Sequence, residues 1–157
     1  EATKLGFNAY ILGADISAEI NELKNVIADK IMNYNADLPC CLIWGGEPTV
    51  KVNGHGKGGR NQHLVLSVLE MLIQEDIKNR FILLSSGTDG TDGPTDAAGA
   101  YIDENILKKA KNDPTELQSH LIAFDAYHFF ERYGGLIKTG PTFTNVMDVI
   151  IVLISKE

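Results

Sequence analysis

Three short runs of this chain, residues 40–44, 80–84 and 146–154, are apolar almost without a break, and segments of helical period lie between them. Such strands are buried on both faces, which calls for covering layers. Residues 7–12 read as a further strand, ended by Gly13. Ile20, Leu23, Ile27 and Ile31 then recur at helical spacing behind an N-cap at Ser17. Pro39 interrupts before the run at 40–44, Gly45-Gly46 closes it, and residues 49–52 alternate as a hairpin partner would. From His63 to Ile73 only His63, Ser67 and Glu70 break an apolar stretch, so that helix must be covered on most sides. Residues 100–102 read as a brief extended stretch. Asp113-Pro114-Thr115-Glu116 is a helix start, and Asp125 caps a helix over 127–133 that Gly134-Gly135 stops. The pattern predicts one α/β domain over residues 1–157. It is three-layer-like, with a mostly parallel or mixed sheet and helices on its faces.

Composition narrows the function classes. With 157 residues, 44% hydrophobic and 22% charged, the chain has an ordinary globular make-up and can bury a real core. A net charge of -7 repels polyphosphate backbones, which argues against nucleic acid as a partner. The apolar runs fall far short of the ~20 residues that span a bilayer. No basic region precedes an apolar stretch at the start, so the expected location is the cytoplasm. Cys40 and Cys41 are adjacent and there is no CxxC, which points to reduced, buried thiols and not to a disulfide or zinc site.

Glycine is concentrated. Six of the 15 glycines fall between Gly45 and Gly59, and four between Gly87 and Gly99. Clustering of this kind brings backbone close to something. The first loop, Asn53-Gly54-His55-Gly56-Lys57-Gly58-Gly59-Arg60-Asn61-Gln62, opens the apolar helix. Between Lys51 and Arg60 it holds four basic or imidazole side chains and no acid, so an anion such as phosphate is favoured at that helix mouth. The second, Gly87-Thr88-Asp89-Gly90-Thr91-Asp92-Gly93-Pro94-Thr95-Asp96-Ala97-Ala98-Gly99, leaves a buried strand with three Asp. That composition suits a hard cation or a carboxylate accepting a hydroxyl proton. The third, Lys138-Thr139-Gly140-Pro141-Thr142-Phe143-Thr144-Asn145, offers hydroxyls and an amide around a Gly-Pro turn, followed by Asp148.

Gly54, Gly56 and Gly59 also match G-x-G-x-x-G, the dinucleotide fingerprint. The acid that should follow about 20 residues on is missing, since the next strand ends at Ser85-Ser86 before Asp89. An NAD(P)H-dependent reductase is therefore the weaker enzyme reading, and a non-catalytic domain binding an anionic metabolite is a third. His63, His120 and His128 have no partners at metal spacing and read as structural.

In order, Gly45-Gly46-Glu47, Gly58-Gly59-Arg60-Asn61-Gln62, the thirteen-residue Asp loop and Gly140-Pro141-Thr142-x-Thr144-Asn145 resemble the C-terminal MOFRL domain of type-2 glycerate kinases, some relatives of which are called hydroxypyruvate reductases. The likeness spans about residues 45–154, and residues 5–35 resemble the stretch before that domain. It implies the C-terminal part of a two-domain enzyme, inactive without its larger N-terminal domain. That enzyme moves the γ-phosphoryl group of ATP, with Mg2+, to a hydroxyl of D-glycerate, giving chiefly the 2-phosphate. Carried over by motif, Arg60, Asp89 and Asp92 are the implied catalytic residues. Glu47, Gly58, Gly59, Asn61, Thr88, Thr142 and Asn145 line the cleft, and Asp89 with Asp96 are the metal candidates. Trp44, His63 and Met147 depart from the family pattern; the family commonly has Asn where Met147 stands.

Overall fold

Alternating burial along each strand decides how the layers stack. In the computed structural model, which describes residues 1–156, a 3-10 turn precedes β1 (Asn8–Ile16), and α1 (Ile20–Asn33) leads to β2 (Cys40–Gly46). Next come α2 (Arg60–Leu72), β3 (Arg80–Gly87), β4 (Gly99–Asp103), α3 (Glu104–Asn112) and α4 (Pro114–Ala123). The chain ends with α5 (Ala126–Tyr133), β5 (Leu136–Ile137) and β6 (Asp148–Ser155). The strands form one sheet in the order β1-β2-β6-β3-β4-β5.

The α/β class holds and the sheet is mixed. Only β1 and β2 run parallel; β6 lies antiparallel between β2 and β3, and β4 and β5 continue antiparallel. Apolar faces predict buried strands but carry no direction, and of the two pairings expected it is the mixed one that forms. Residues 49–52 form no strand either. Thr49 makes a single bridge to Glu19, and the segment crosses the entrance of α1.

Leu42, Val152, Leu83 and Ile102 make one cross-strand row, each fully buried. They face α2, around which α1, α3, α4 and α5 gather, and these elements share one contiguous core. The neighbouring row, Ile11, Ile43, Ile151, Leu84 and Tyr101, points the other way and is half-buried to exposed, with Ile11 at 74%. This explains why the strands read as apolar on both faces although the helices of residues 1–156 gather on one. Helix α3 escaped the sequence reading because it is short. Its signals are Ile106, Leu107 and Ala110 on one face and Asp103 as a cap, whose Oδ1 accepts the Ile106 N–H at 2.9 Å. No helix among the described residues is long and apolar enough to cross a membrane.

Candidate functional site

Strand direction collects the three loops at one end of the sheet. Gly46 at the end of β2 and Gly87 at the end of β3 flank Asp148 at the start of β6. Neither neighbour has a side chain, so the Asp148 carboxylate has room on the helix side of the sheet. Arg60, the first residue of α2, fills that space. Its Nε donates to Asp148 Oδ2 at 2.6 Å, Nη2 to Asp148 Oδ1 at 3.1 Å, and Nη1 to Glu47 Oε1 at 2.7 Å. The hydrogen bond to Asp148 raises the Arg60 pKa further, and the guanidinium is locked in place. Sequence reasoning had not given Asp148 a role. The signal was an acid one residue before a fully apolar strand.

Asp92 resolves what sits at the mouth of α2. Gly59 offers no side-chain cap, and Asp92 reaches across from the second loop to supply one. Its Oδ1 accepts from the Asn61 N–H at 3.0 Å and Asn61 Nδ2 at 3.2 Å, while Oδ2 accepts from the Gln62 N–H at 2.9 Å and Gln62 Nε2 at 3.0 Å. The residue is 3% exposed. Burial raises its pKa, with those donors opposing. The anion expected at this helix N-terminus is thus the protein's own carboxylate. Asn61, expected to contact substrate, is buried as well, and its Oδ1 accepts from Ser85 Oγ at 2.5 Å.

Asp89, on the second loop, lines the same two cavities as Arg60. Its Oδ1 accepts from the Thr91 N–H at 3.0 Å and Thr91 Oγ1 at 3.2 Å, and no hydrogen bond falls on Oδ2 among the described residues. Thr88 and Thr142 fasten the second and third loops together, while Asn145 braces the third loop internally. Thr142 Oγ1 donates to the Thr88 carbonyl at 2.5 Å and Thr88 Oγ1 to the Met147 carbonyl at 2.7 Å, while Asn145 Oδ1 accepts the Met147 N–H at 3.0 Å. Asp96 sits apart from these residues. Its carboxylate accepts from Tyr127 Oη at 2.7 Å and Lys138 Nζ at 2.9 Å, contacts that lower its pKa, and it lines neither cavity that Asp89 lines. Among the described residues no three His, Cys, Asp or Glu side chains gather as a metal site.

The dinucleotide-like glycines have a different cause. A Cβ on Gly54 would stand 2.2 Å from the Ala123 carbonyl oxygen, one on Gly56 2.4 Å from Asp125 Cβ, and one on Gly59 2.2 Å from Asp92 Cγ. The loop lies flat on the α4–α5 junction. The Lys57 N–H donates to Asp125 Oδ1 at 2.8 Å, and Lys57 Nζ sits 3.9 Å over the Tyr127 ring. Close packing against protein accounts for the pattern, so it no longer argues for NAD(P)H.

Two cavities meet here. A crevice of about 70 Å³ is lined by Glu47, Arg60, Asp89, Thr91, Asn145, Met147 and Asp148. A larger cavity of about 420 Å³ shares Arg60, Asp89 and Thr91 with it and adds Gly58, Gly59 and Asp92. Arg60 and Asp89 therefore face common space. His63, in the larger wall, stacks on Phe124 with ring centroids 4.3 Å apart, and its buried Nδ1 has no hydrogen-bond partner among the described residues. Burial, helped by Lys24, pulls its pKa from 6.5 down to about 4. The unfolded chain thus takes up a proton that the folded protein refuses, and stability falls as pH drops through that window. The loss approaches an order of 3 kcal/mol near its lower end. Urea midpoints measured at neutral pH and near pH 4.5 should converge in His63→Gln relative to the wild type; an unchanged gap would show the imidazole is not responsible.

Comparison with known proteins matches the MOFRL family over residues 40–148. The chain belongs to that family. It is 43% identical to the D-glycerate 2-kinase of Thermotoga maritima over 98% of its length, covering 37% of that relative, and 39% identical to a Danio rerio glycerate kinase, covering 30% of it. The crystal structure of the Thermotoga maritima glycerate kinase superposes with a TM-score of 0.86, and so does a Pyrococcus horikoshii protein at 34% identity. The chain spans about a third of the length of these relatives, in their C-terminal portion.

Membership explains one departure from the family pattern. Met147 adopts a left-handed backbone with φ 70, a conformation Asn tolerates far better than Met. Met147→Asn should stabilise the protein by about 0.5–1 kcal/mol, read as a rise in thermal midpoint. A fall would mean that Met147 packs productively at the crevice rim.

Proposed function

We propose that this chain is the C-terminal part of a two-domain D-glycerate 2-kinase, bearing one wall of a cleft in which ATP phosphorylates a hydroxyl of D-glycerate. The observation that carries this reading is the shared space of Arg60 and Asp89 at the sheet end, in a chain 43% identical to a D-glycerate 2-kinase. Phosphoryl transfer passes through a loose transition state whose charge spreads over the transferred oxygens, so catalysis is positioning and charge stabilisation. Arg60 suits that task. Three of its five N–H donors are spent on Asp148 and Glu47, which fix the plane of the guanidinium and leave two donors for substrate oxygens. Held this way, it does not reorganise as charge develops.

Asp89 is placed to accept a hydroxyl proton or to help hold magnesium through its unbonded Oδ2. Magnesium in phosphotransferases needs only one or two protein carboxylates beside substrate phosphates, which the donor set here fits. When bound, the ion neutralises phosphate charge. Asp92 and Asn61 serve the site from below by fixing the first turn of α2. The half-open apolar row of Ile11, Ile43, Ile151, Leu84 and Tyr101 supports a larger polypeptide in which further chain covers this face of the sheet, in keeping with the greater length of the relatives. A coupled assay of ADP release with ATP and D-glycerate tests the reading. Turnover is expected when the chain is joined to the N-terminal portion of the Thermotoga maritima relative, and none from residues 1–157 alone. Absence of glycerate-dependent ADP release from the joined protein would overturn it.

A further inference from the structure

The two cavities differ in chemistry, and that difference distributes the two substrates. D-glycerate is a three-carbon acid with oxygen on every carbon, and the crevice of about 70 Å³ is lined mostly by polar and charged side chains: Glu47, Arg60, Asp89, Thr91, Asn145 and Asp148. The cavity of about 420 Å³ lies in the size range of small-molecule sites; Arg60 and Asp89 belong to the end it shares with the crevice, and the buried Asp92 is its other charged lining residue. Its outer end is lined by Val50, Val52, Pro94 and Phe124, and by Gly56 and Gly58, which present no side chain. Val52 is 65% exposed there, an apolar side chain with nothing over it. Phe124 is backed by the His63 ring at 8° interplanar angle, a stiff two-ring wall. Glycerate has no surface that such a wall would favour. A heterocyclic base has, because any base can stack on an aromatic face.

We propose that the outer end of this cavity, built from Val50, Val52, Pro94 and Phe124, receives the base of the nucleoside triphosphate. Its phosphates then run inward to Arg60 while D-glycerate occupies the small crevice. The proposal rests on the phosphotransfer reading above. The shared wall of Arg60, Asp89 and Thr91 becomes the place where the two substrates meet. The low pKa of His63 is consistent with this: an uncharged imidazole behind Phe124 keeps the outer end apolar at neutral pH.

Phe124 can be tested without breaking the fold. It closes α4 in a left-handed conformation with φ 57, which Asn adopts more readily than Phe, so Phe124→Asn removes the ring while keeping the turn. In NMR titrations of the joined protein, isotope-labelled over residues 1–157 and with magnesium present, ATP is expected to shift the resonances of Val50, Val52 and Phe124. D-glycerate is expected to shift those of Asn145 and Met147 instead. In Phe124→Asn the ATP dissociation constant should rise about tenfold, with inorganic tripolyphosphate binding unchanged. ATP that leaves Val50, Val52 and Phe124 unshifted, or an equal loss of ATP and tripolyphosphate affinity, would overturn the base site. The kinase reading would then stand or fall separately on glycerate-dependent ADP release from the joined protein.

Discussion

On the proposed kinase reading, Arg60→Ala in the protein joined to the N-terminal portion of the relative is expected to remove most glycerate-dependent phosphotransfer, on the order of a hundred- to a thousandfold, the loss typical of deleting one preorganised donor to a developing charge. It should also destabilise the fold, because the Asp148 side chain is 3% exposed and Arg60 is its ion-pair partner. Stranding a buried carboxylate costs about 3–5 kcal/mol. Two effects in one variant invite confusion, and the pair Arg60→Ala/Asp148→Asn separates them. Removing the orphaned charge should restore much of the thermal midpoint while leaving turnover as low as in the single variant. Arg60→Lys should fall between: the charge is kept, but one ammonium cannot hold both Asp148 oxygens and Glu47 together. Wild-type turnover in a folded Arg60→Ala protein would take Arg60 out of the mechanism.

What the residues alone disclosed follows from how local each signal is. Helix α4 announces itself through Asp113, whose Oδ1 accepts the Glu116 N–H at 3.2 Å, and through Pro114 behind it, because a cap acts within one turn. The sheet end was legible as a place where glycine and aspartate accumulate. Partner choice was not. That Arg60 spans 88 positions to Asp148 depends on β6 entering the sheet between β2 and β3, and that Asp96 turns to Lys138 depends on β5 pairing with β4. No spacing rule within one segment reports such an insertion. The same limit explains Gly54 and Gly56, whose pattern imitates a cofactor loop while their real neighbours are Ala123 and Asp125, nearly 70 positions away.

Asp92 is expected to matter as much for stability as the Arg60–Asp148 pair. Asp92→Ala removes the acceptor of four N–H groups at once, two from the backbone and two from side chains of Asn61 and Gln62, all in buried surroundings. Unsatisfied buried donors cost about 1–3 kcal/mol each before relaxation, and the first turn of α2 can fray to recover part of that, so a net loss of about 3–5 kcal/mol is expected. Denaturant midpoints measure it directly. Fraying has a second consequence, since Arg60 begins the same turn and would lose its alignment with Asp148. Hydrogen exchange in Asp92→Ala should therefore accelerate at Asn61, Gln62 and His63 while the amides of β6 keep their protection. Asp92→Asn keeps one acceptor oxygen but turns an amide N–H toward the Gln62 N–H or the Asn61 N–H. Its loss should be smaller than that of Asp92→Ala, and its turnover per folded molecule should follow how well Arg60 is held. A folded Asp92→Asn protein of unchanged stability and no turnover would instead make Asp92 a participant in the chemistry, with its place beneath α2 incidental.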